Sequence, residues 1–165
     1  MEPDKEELRA VATRFGWAWY RMRRLIDTHL SAHGASMARL KLLAFLAEEP
    51  RRSTDIAGFF DQAPRTVTQA IDWLEQNGLG SRSPVEGDRR AKMVQITDAG
   101  RKMLEQGLPL YDEVVGQTFG SLSTGELEAL EKAISHLDHI VSGLEQQAGI
   151  RRTRAGASGK GGAQF

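Results

Sequence analysis

Four side chains at one end of an amphipathic stretch carry the sharpest chemistry in the sequence: Arg65, Thr66, Thr68 and Gln69. Arginine can donate two hydrogen bonds to guanine O6 and N7, and glutamine can pair with adenine N6 and N7. Threonine can serve a base edge or a phosphate. Val67, Ala70, Ile71 and Leu74 recur at steps of three and four, so this stretch is predicted to be a helix with one buried face. A turn of about 100° per residue puts Arg65, Gln69, Asp72 and Gln76 opposite that face. Asp72 and Glu75 would repel phosphates, so the reading end must be the first two turns. The competing reading is a solvated helix face.

A second cluster follows in the loop Asp88-Arg89-Arg90. Two arginines at a hairpin tip suit the narrow, electronegative minor groove of A·T-rich DNA. A charged tip can also serve solubility alone. Lys92 to Ile96 alternates, with Val94 and Ile96 expected inward and Met93 and Gln95 outward. Ser53, Thr54, Arg82 and Lys92 complete the candidate DNA-facing set as phosphate contacts.

The elements that must hold these groups can be read in order. Pro64 can open the reading helix, where its missing N–H costs nothing, and Asn77-Gly78 can stop it. Leu8, Val11, Ala12, Phe15, Trp19, Met22 and Ile26 predict a long first helix over 5–33. Ser36 caps a second, apolar on several faces and ended by Pro50, and such a helix must be enclosed. Ser53 or Thr54 is expected to cap a third, with Ile56, Phe59 and Phe60 inward. Thr97 is placed to cap a fifth helix, in which Pro109 predicts a kink rather than a break. Ser123-Thr124-Gly125-Glu126 is a capping box. Beyond it, Leu127, Leu130, Ile134, Leu137, Val141 and Leu144 step 3, 4, 3, 4, 3, a heptad seam that asks for a partner helix. The alternative is that the seam packs within its own chain. The outline is mainly α with a small β-ribbon: a winged helix-turn-helix with N- and C-terminal dimerisation helices. One domain is expected over 1–148, with dimerisation helices 5–33 and 98–146 and a DNA-binding lobe 36–97.

The chain has 165 residues, 22 basic and 22 acidic, so overall charge argues for no partner. Four of the basic residues, Arg151, Arg152, Arg154 and Lys160, lie in the Gly/Ala/Ser-rich stretch 149–165, expected to be a disordered basic tail. The absence of cysteine excludes a disulfide scaffold and a thiolate zinc site. With no apolar run of about 18 residues and an acidic N-terminus, neither membrane span nor signal peptide is expected, and the cytoplasm is the default location. No G-x-S-x-G, H-E-x-x-H or Gly-rich phosphate loop supports an enzyme.

With these parts in order, the chain resembles the MarR family of bacterial transcriptional regulators over roughly 8–144. The resemblance rests on Arg65-Thr66-Val67-Thr68, Leu74-Glu75-Gln76-Asn77-Gly78-Leu79, Asp88-Arg89-Arg90 and Ile96-Thr97-Asp98-Ala99-Gly100. Leu79-Gly80-Ser81-Arg82 departs from it, replacing a more hydrophobic, more basic first wing strand, and Gly80 should weaken that strand. The resemblance implies a homodimer on a palindromic double-stranded operator, most simply a repressor, with no cofactor. It implies that Asp88 holds Arg90 extended and that Arg90 enters the minor groove. It also implies release by a small aromatic or anionic effector, for which Trp17, Trp19, Tyr20, Arg21 and Arg24 offer rings and cations. Core aromatics beside solvated arginines are the plainer reading of that group. His29 with His33, and His136 with His139, have the spacing of metal pairs, but a helix dipole is their simpler partner. The rival function is a winged helix used for protein–protein contact.

Overall fold

The computed structural model describes residues 4–85 and 88–149, with 88–91 described by backbone alone. The tail from 150 onward and the side chains of Asp88, Arg89 and Arg90 therefore lie outside the described residues. Among the described residues, six helices and three strands follow one another: α1 Lys5–Ser31, α2 Met37–Glu48, β1 Arg51–Arg52, α3 Ser53–Phe60, α4 Pro64–Gln76, β2 Gly80–Val85, β3 Asp88–Ile96, α5 Asp98–Phe119 and α6 Thr124–Gln147.

Local chemistry sets most of the boundaries. The carboxylate of Asp4 accepts from the backbone N–H groups of Glu6 and Glu7, both at 2.8 Å, and opens α1. Ser36 caps α2 through Arg39 N, and Asp27 on α1 accepts from Met37 N at 2.8 Å, so α1 helps to start α2. Pro64 is the first residue of α4, and Gly78, at φ +69°, ends its turn. Ser123 and Glu126 form the expected reciprocal box at the head of α6. Those bonds to Glu126 hold its carboxyl below the usual range. Around Pro109, α5 continues without a break.

Two local expectations need correction. Arg52, not Ser53 or Thr54, stands at the N-cap of α3, and its backbone N–H donates to Asp55 Oδ2 at 3.3 Å. Ser53 is already inside the helix. The ribbon is also not two strands but three, in the order β1-β3-β2, with Arg51 opposite Val94 and Gly80 opposite Ile96. Two residues are too few to show an alternating pattern, so β1 leaves no periodic signal.

Two apolar clusters result. One joins α2, α3, α4 and the sheet through Leu43, Leu46, Ile56, Val67, Ile71, Leu74, Val94 and Ile96. The other packs Ile26 and Leu30 of α1 against Leu40 of α2 and Val114 of α5. As expected for an enclosed helix, α2 serves both. By contrast, α6 buries none of its residues, and α1 is exposed over its first two-thirds. No helix among the described residues is long and apolar enough to cross a membrane.

Candidate nucleic-acid interface

The lobe presents α4 as a half-embedded rod. Val67, Ile71 and Leu74 are fully buried, whereas Arg65, Thr66, Thr68 and Gln69 are all exposed. Burial of the inner face fixes the rotation of the helix, and rotation decides which side chains reach outward. No side chain caps the α4 N-terminus. Its first N–H groups therefore remain available to a phosphate oxygen. Thr68 Oγ1 donates to Pro64 O at 2.9 Å, so toward a base edge the hydroxyl can only accept.

Further contacts sit around this face. Thr54 is exposed on the first turn of α3, Ser53 is half-buried, and Lys92 is exposed on β3 opposite Pro84. Val94 and Ile96 point into the core as expected. The backbone of Asp88, Arg89 and Arg90 belongs to β3, which brings these residues to the distal end of the ribbon.

Arg82 does not join them. Its guanidinium is paired through Nη1 with Glu75 and through Nη2 with Asp72 Oδ1 at 2.6 Å. The expected phosphate contact is thus a tie between β2 and α4, because two carboxylates three residues apart on α4 face the strand. The same pairing offsets only part of the predicted repulsion from Asp72 and Glu75, since two carboxylates share one cation.

The candidate effector residues are divided. Trp19 lines a cleft of about 600 Å³ between α1, α2 and α4, together with Arg23, Arg39, Lys41, Thr66 and Trp73. Trp17 and Tyr20 instead meet edge to face, with ring centroids 5.8 Å apart, on another side of α1, beside Ala12, Thr13 and Gly16. Arg21 and Arg24 are exposed and line neither hollow. Inside the cleft the Arg39 guanidinium lies 3.6 Å from the Trp73 ring centroid and also donates to Gly34 O at 3.2 Å. Burial, then the nearby Arg23 charge, pushes the Lys41 pKa down. Sequence reasoning passed over Arg39, Lys41 and Trp73. The available signal was a pair of cations on a helix otherwise apolar nearly all round.

His29 Nδ1 and His33 Nδ1 lie 3.3 and 3.4 Å from carbonyls one turn back on their own helix. Among the described residues, no three His, Cys, Asp or Glu side chains could hold a metal ion together.

A helix-turn-helix with a three-stranded wing, carried between long terminal helices, defines the molecule as a winged-helix protein. Its fold is that of the MarR family regulators. Sco3205, a MarR family transcriptional regulator from Streptomyces coelicolor solved in complex with DNA, superposes with a TM-score of 0.72 at 23% identity, over 84% of this chain and 89% of its own. CouR from Rhodococcus jostii RHA1, solved bound to p-coumaroyl-CoA, gives a TM-score of 0.64 at 17% identity over 77% and 90%. In sequence, the chain is 28% identical over 94 residues to the uncharacterized HTH-type transcriptional regulator YhbI of Bacillus subtilis, over 57% of this chain. It spans about three-fifths of that relative, 61% of its length. No protein-family model matches the sequence.

Proposed function

We propose that this chain is a sequence-specific, double-stranded DNA-binding transcriptional regulator, a repressor, that acts as a homodimer on a palindromic operator. The observation that carries the reading is α4, whose buried face locks Arg65, Thr66, Thr68 and Gln69 outward beside an uncapped N-terminus. Arg65 and Gln69 read base edges in the major groove, and Thr66 and Thr68 support them. Lys92, Ser53 and Thr54 hold phosphates. Arg89 and Arg90 enter the flanking minor groove, with Asp88 orienting Arg90. The DNA-bound state of Sco3205 supports the same reading through the shared fold.

The test uses the tightest fragment selected from the parent genome, titrated at 50 and 200 mM salt. A dimer making about six to ten phosphate contacts loses roughly a thousandfold or more in affinity across that range. Arg90→Ala should weaken operator binding by about tenfold or more while helicity and dimerisation stay intact. Affinity indifferent to salt would instead favour a winged helix docking on protein.

We further propose that the cleft under α4 takes an aromatic anion. Trp19 and Trp73 supply ring faces, and Arg23, Arg39 and Lys41 supply positive charge. The ligand of CouR, an aromatic acyl thioester of an anionic carrier, is consistent with that chemistry. Titration with aromatic carboxylates and their CoA thioesters should quench tryptophan emission and release DNA, and Arg39→Ala should abolish both effects. Release that persists unchanged in Arg39→Ala would remove the cleft from the argument.

A further inference from the structure

We propose that Arg82 is a positioning residue that fixes the angle between wing and recognition helix, and that it does not contact DNA itself. The proposal rests on the DNA-binding reading above. Arg82 holds α4 at three points. Its backbone N–H donates to Glu75 Oε1 at 2.9 Å, Nη1 pairs with Glu75 Oε2, and Nη2 donates to Asp72 Oδ1 at 2.6 Å. Its side chain is only 18% exposed. Glu75 therefore clasps both the main chain and the side chain of the strand residue, which a loose surface ion pair does not do.

The location of this clamp gives it its meaning. At Gly80 the strand already lies close on α4, where an added Cβ would stand 3.3 Å from Leu74 Cβ. Glycine supplies no side chain to pack there, and this weakens the root of the wing. Two residues on, Arg82 restores the tie by charge-assisted hydrogen bonds, opposite the fully buried Val94 of β3. Beyond Arg82, the described residues show no other polar tie from β2 to α4, and the ribbon register shifts at Pro84/Val85. From Arg82 to Val85, the end of β2, is three residues, or roughly 10 Å at about 3.3 Å each. A rocking of roughly 10° at the clamp would move that end by about 2 Å, a large fraction of a hydrogen-bond length. An arginine that must reach a groove follows such a shift only by giving up favoured rotamers.

The discriminating variant is Asp72→Asn/Glu75→Gln, which leaves Arg82 present and removes two negative charges from the DNA-facing side. On charge alone, or if Arg82 contacts phosphate, operator affinity should hold or rise. If Arg82 positions the wing, the ratio of affinity for the selected operator fragment to that for a random duplex of equal length falls tenfold or more. Binding to the random duplex holds or tightens. Hydroxyl-radical protection should then disappear at the outer minor grooves and persist where α4 lies. Arg82→Lys is the second arm: it keeps the charge and loses the two-pronged geometry. Its loss should approach that of Arg82→Ala, and it decides the matter if the double variant fails to fold. An unchanged ratio with intact outer protection, or full activity in Arg82→Lys, overturns the proposal. Failure of the underlying reading looks different, since the unsubstituted protein would then show no salt-dependent DNA affinity.

Discussion

Gly100→Ala should cost about 3 kcal/mol or more of folding stability, the upper end for forcing one methyl group into a packed site. An added Cβ at this position would lie 2.1 Å from Leu79 O and 2.7 Å from Ile96 Cγ1. Neither neighbour can withdraw. Leu79 O accepts from Thr97 N at 3.1 Å, and Leu79 N donates to Leu74 O at 2.8 Å, so its peptide groups are held from both sides. Two other glycines on the same helix calibrate the effect. At Gly107 the added atom would meet the Leu40 methyl groups at 2.6 and 2.8 Å, the movable end of a side chain. Its cost should be about 1–2 kcal/mol, offset in part by the better helix propensity of alanine. At Gly116 nothing lies within 4 Å, so alanine should stabilise by up to about 1 kcal/mol. Urea unfolding of the three single variants checks the order, and a Gly100→Ala midpoint above that of Gly107→Ala would contradict it.

Ile134→Glu/Leu137→Glu should turn the proposed dimer into a monomer and reduce operator affinity by at least about a hundredfold. In the single chain these side chains are 46% and 51% exposed, and Val141 and Leu144 are 49% and 57% exposed. The N-terminal half of α1 adds Leu8, Val11, Phe15 and Trp19, each about half exposed or more. Burying such a side chain in full is worth about 1.5–3 kcal/mol, so covering its exposed half is worth about 1 kcal/mol, and several together support a stable association. Two half-sites held by one body also bind far more tightly than either alone, because the second contact becomes intramolecular. Reading successive major grooves requires the two α4 helices to be about 34–36 Å apart, which a shared seam can fix. The substitutions touch no buried position, so the helical circular dichroism should remain that of the parent. Light scattering decides: a parent already monomeric at micromolar concentration would defeat the dimer.

What was legible in the sequence is what depends on near neighbours along the chain. Pro64 at the head of α4, the caps at Ser36, Thr97 and Ser123, and the inward pair Val94 and Ile96 all follow from spacing and from orphan N–H groups. The exposed seam on α6 was legible for the same reason. Arg82 was not, because its partners sit seven and ten residues away on another element. Arg39 over Trp73 and the half-buried Lys41 likewise exist only once α2 meets α4. The division of the aromatic group is different, since it could have been foreseen. Trp17 and Trp19 are two residues apart, about 200° around a helix, and cannot share one pocket.

One hydroxyl joins the end of the reading helix to the start of α5. Thr97 Oγ1 donates to Gly78 O at 2.7 Å and accepts from Gly100 N at 3.1 Å, joining the turn that ends α4 to the first turn of α5. With its 22 residues at about 1.5 Å each, α5 is a lever roughly 33 Å long. It is tied at Thr97 and packed along its length, on Leu40 at Gly107 and in the second apolar cluster at Val114, and its far end leads into α6. A tilt of about 5° imposed at that far end sweeps about 3 Å there. At the near end any such tilt is felt by the last turn of α4 through Thr97, by its hydroxyl and by the backbone bond from Thr97 N to Leu79 O.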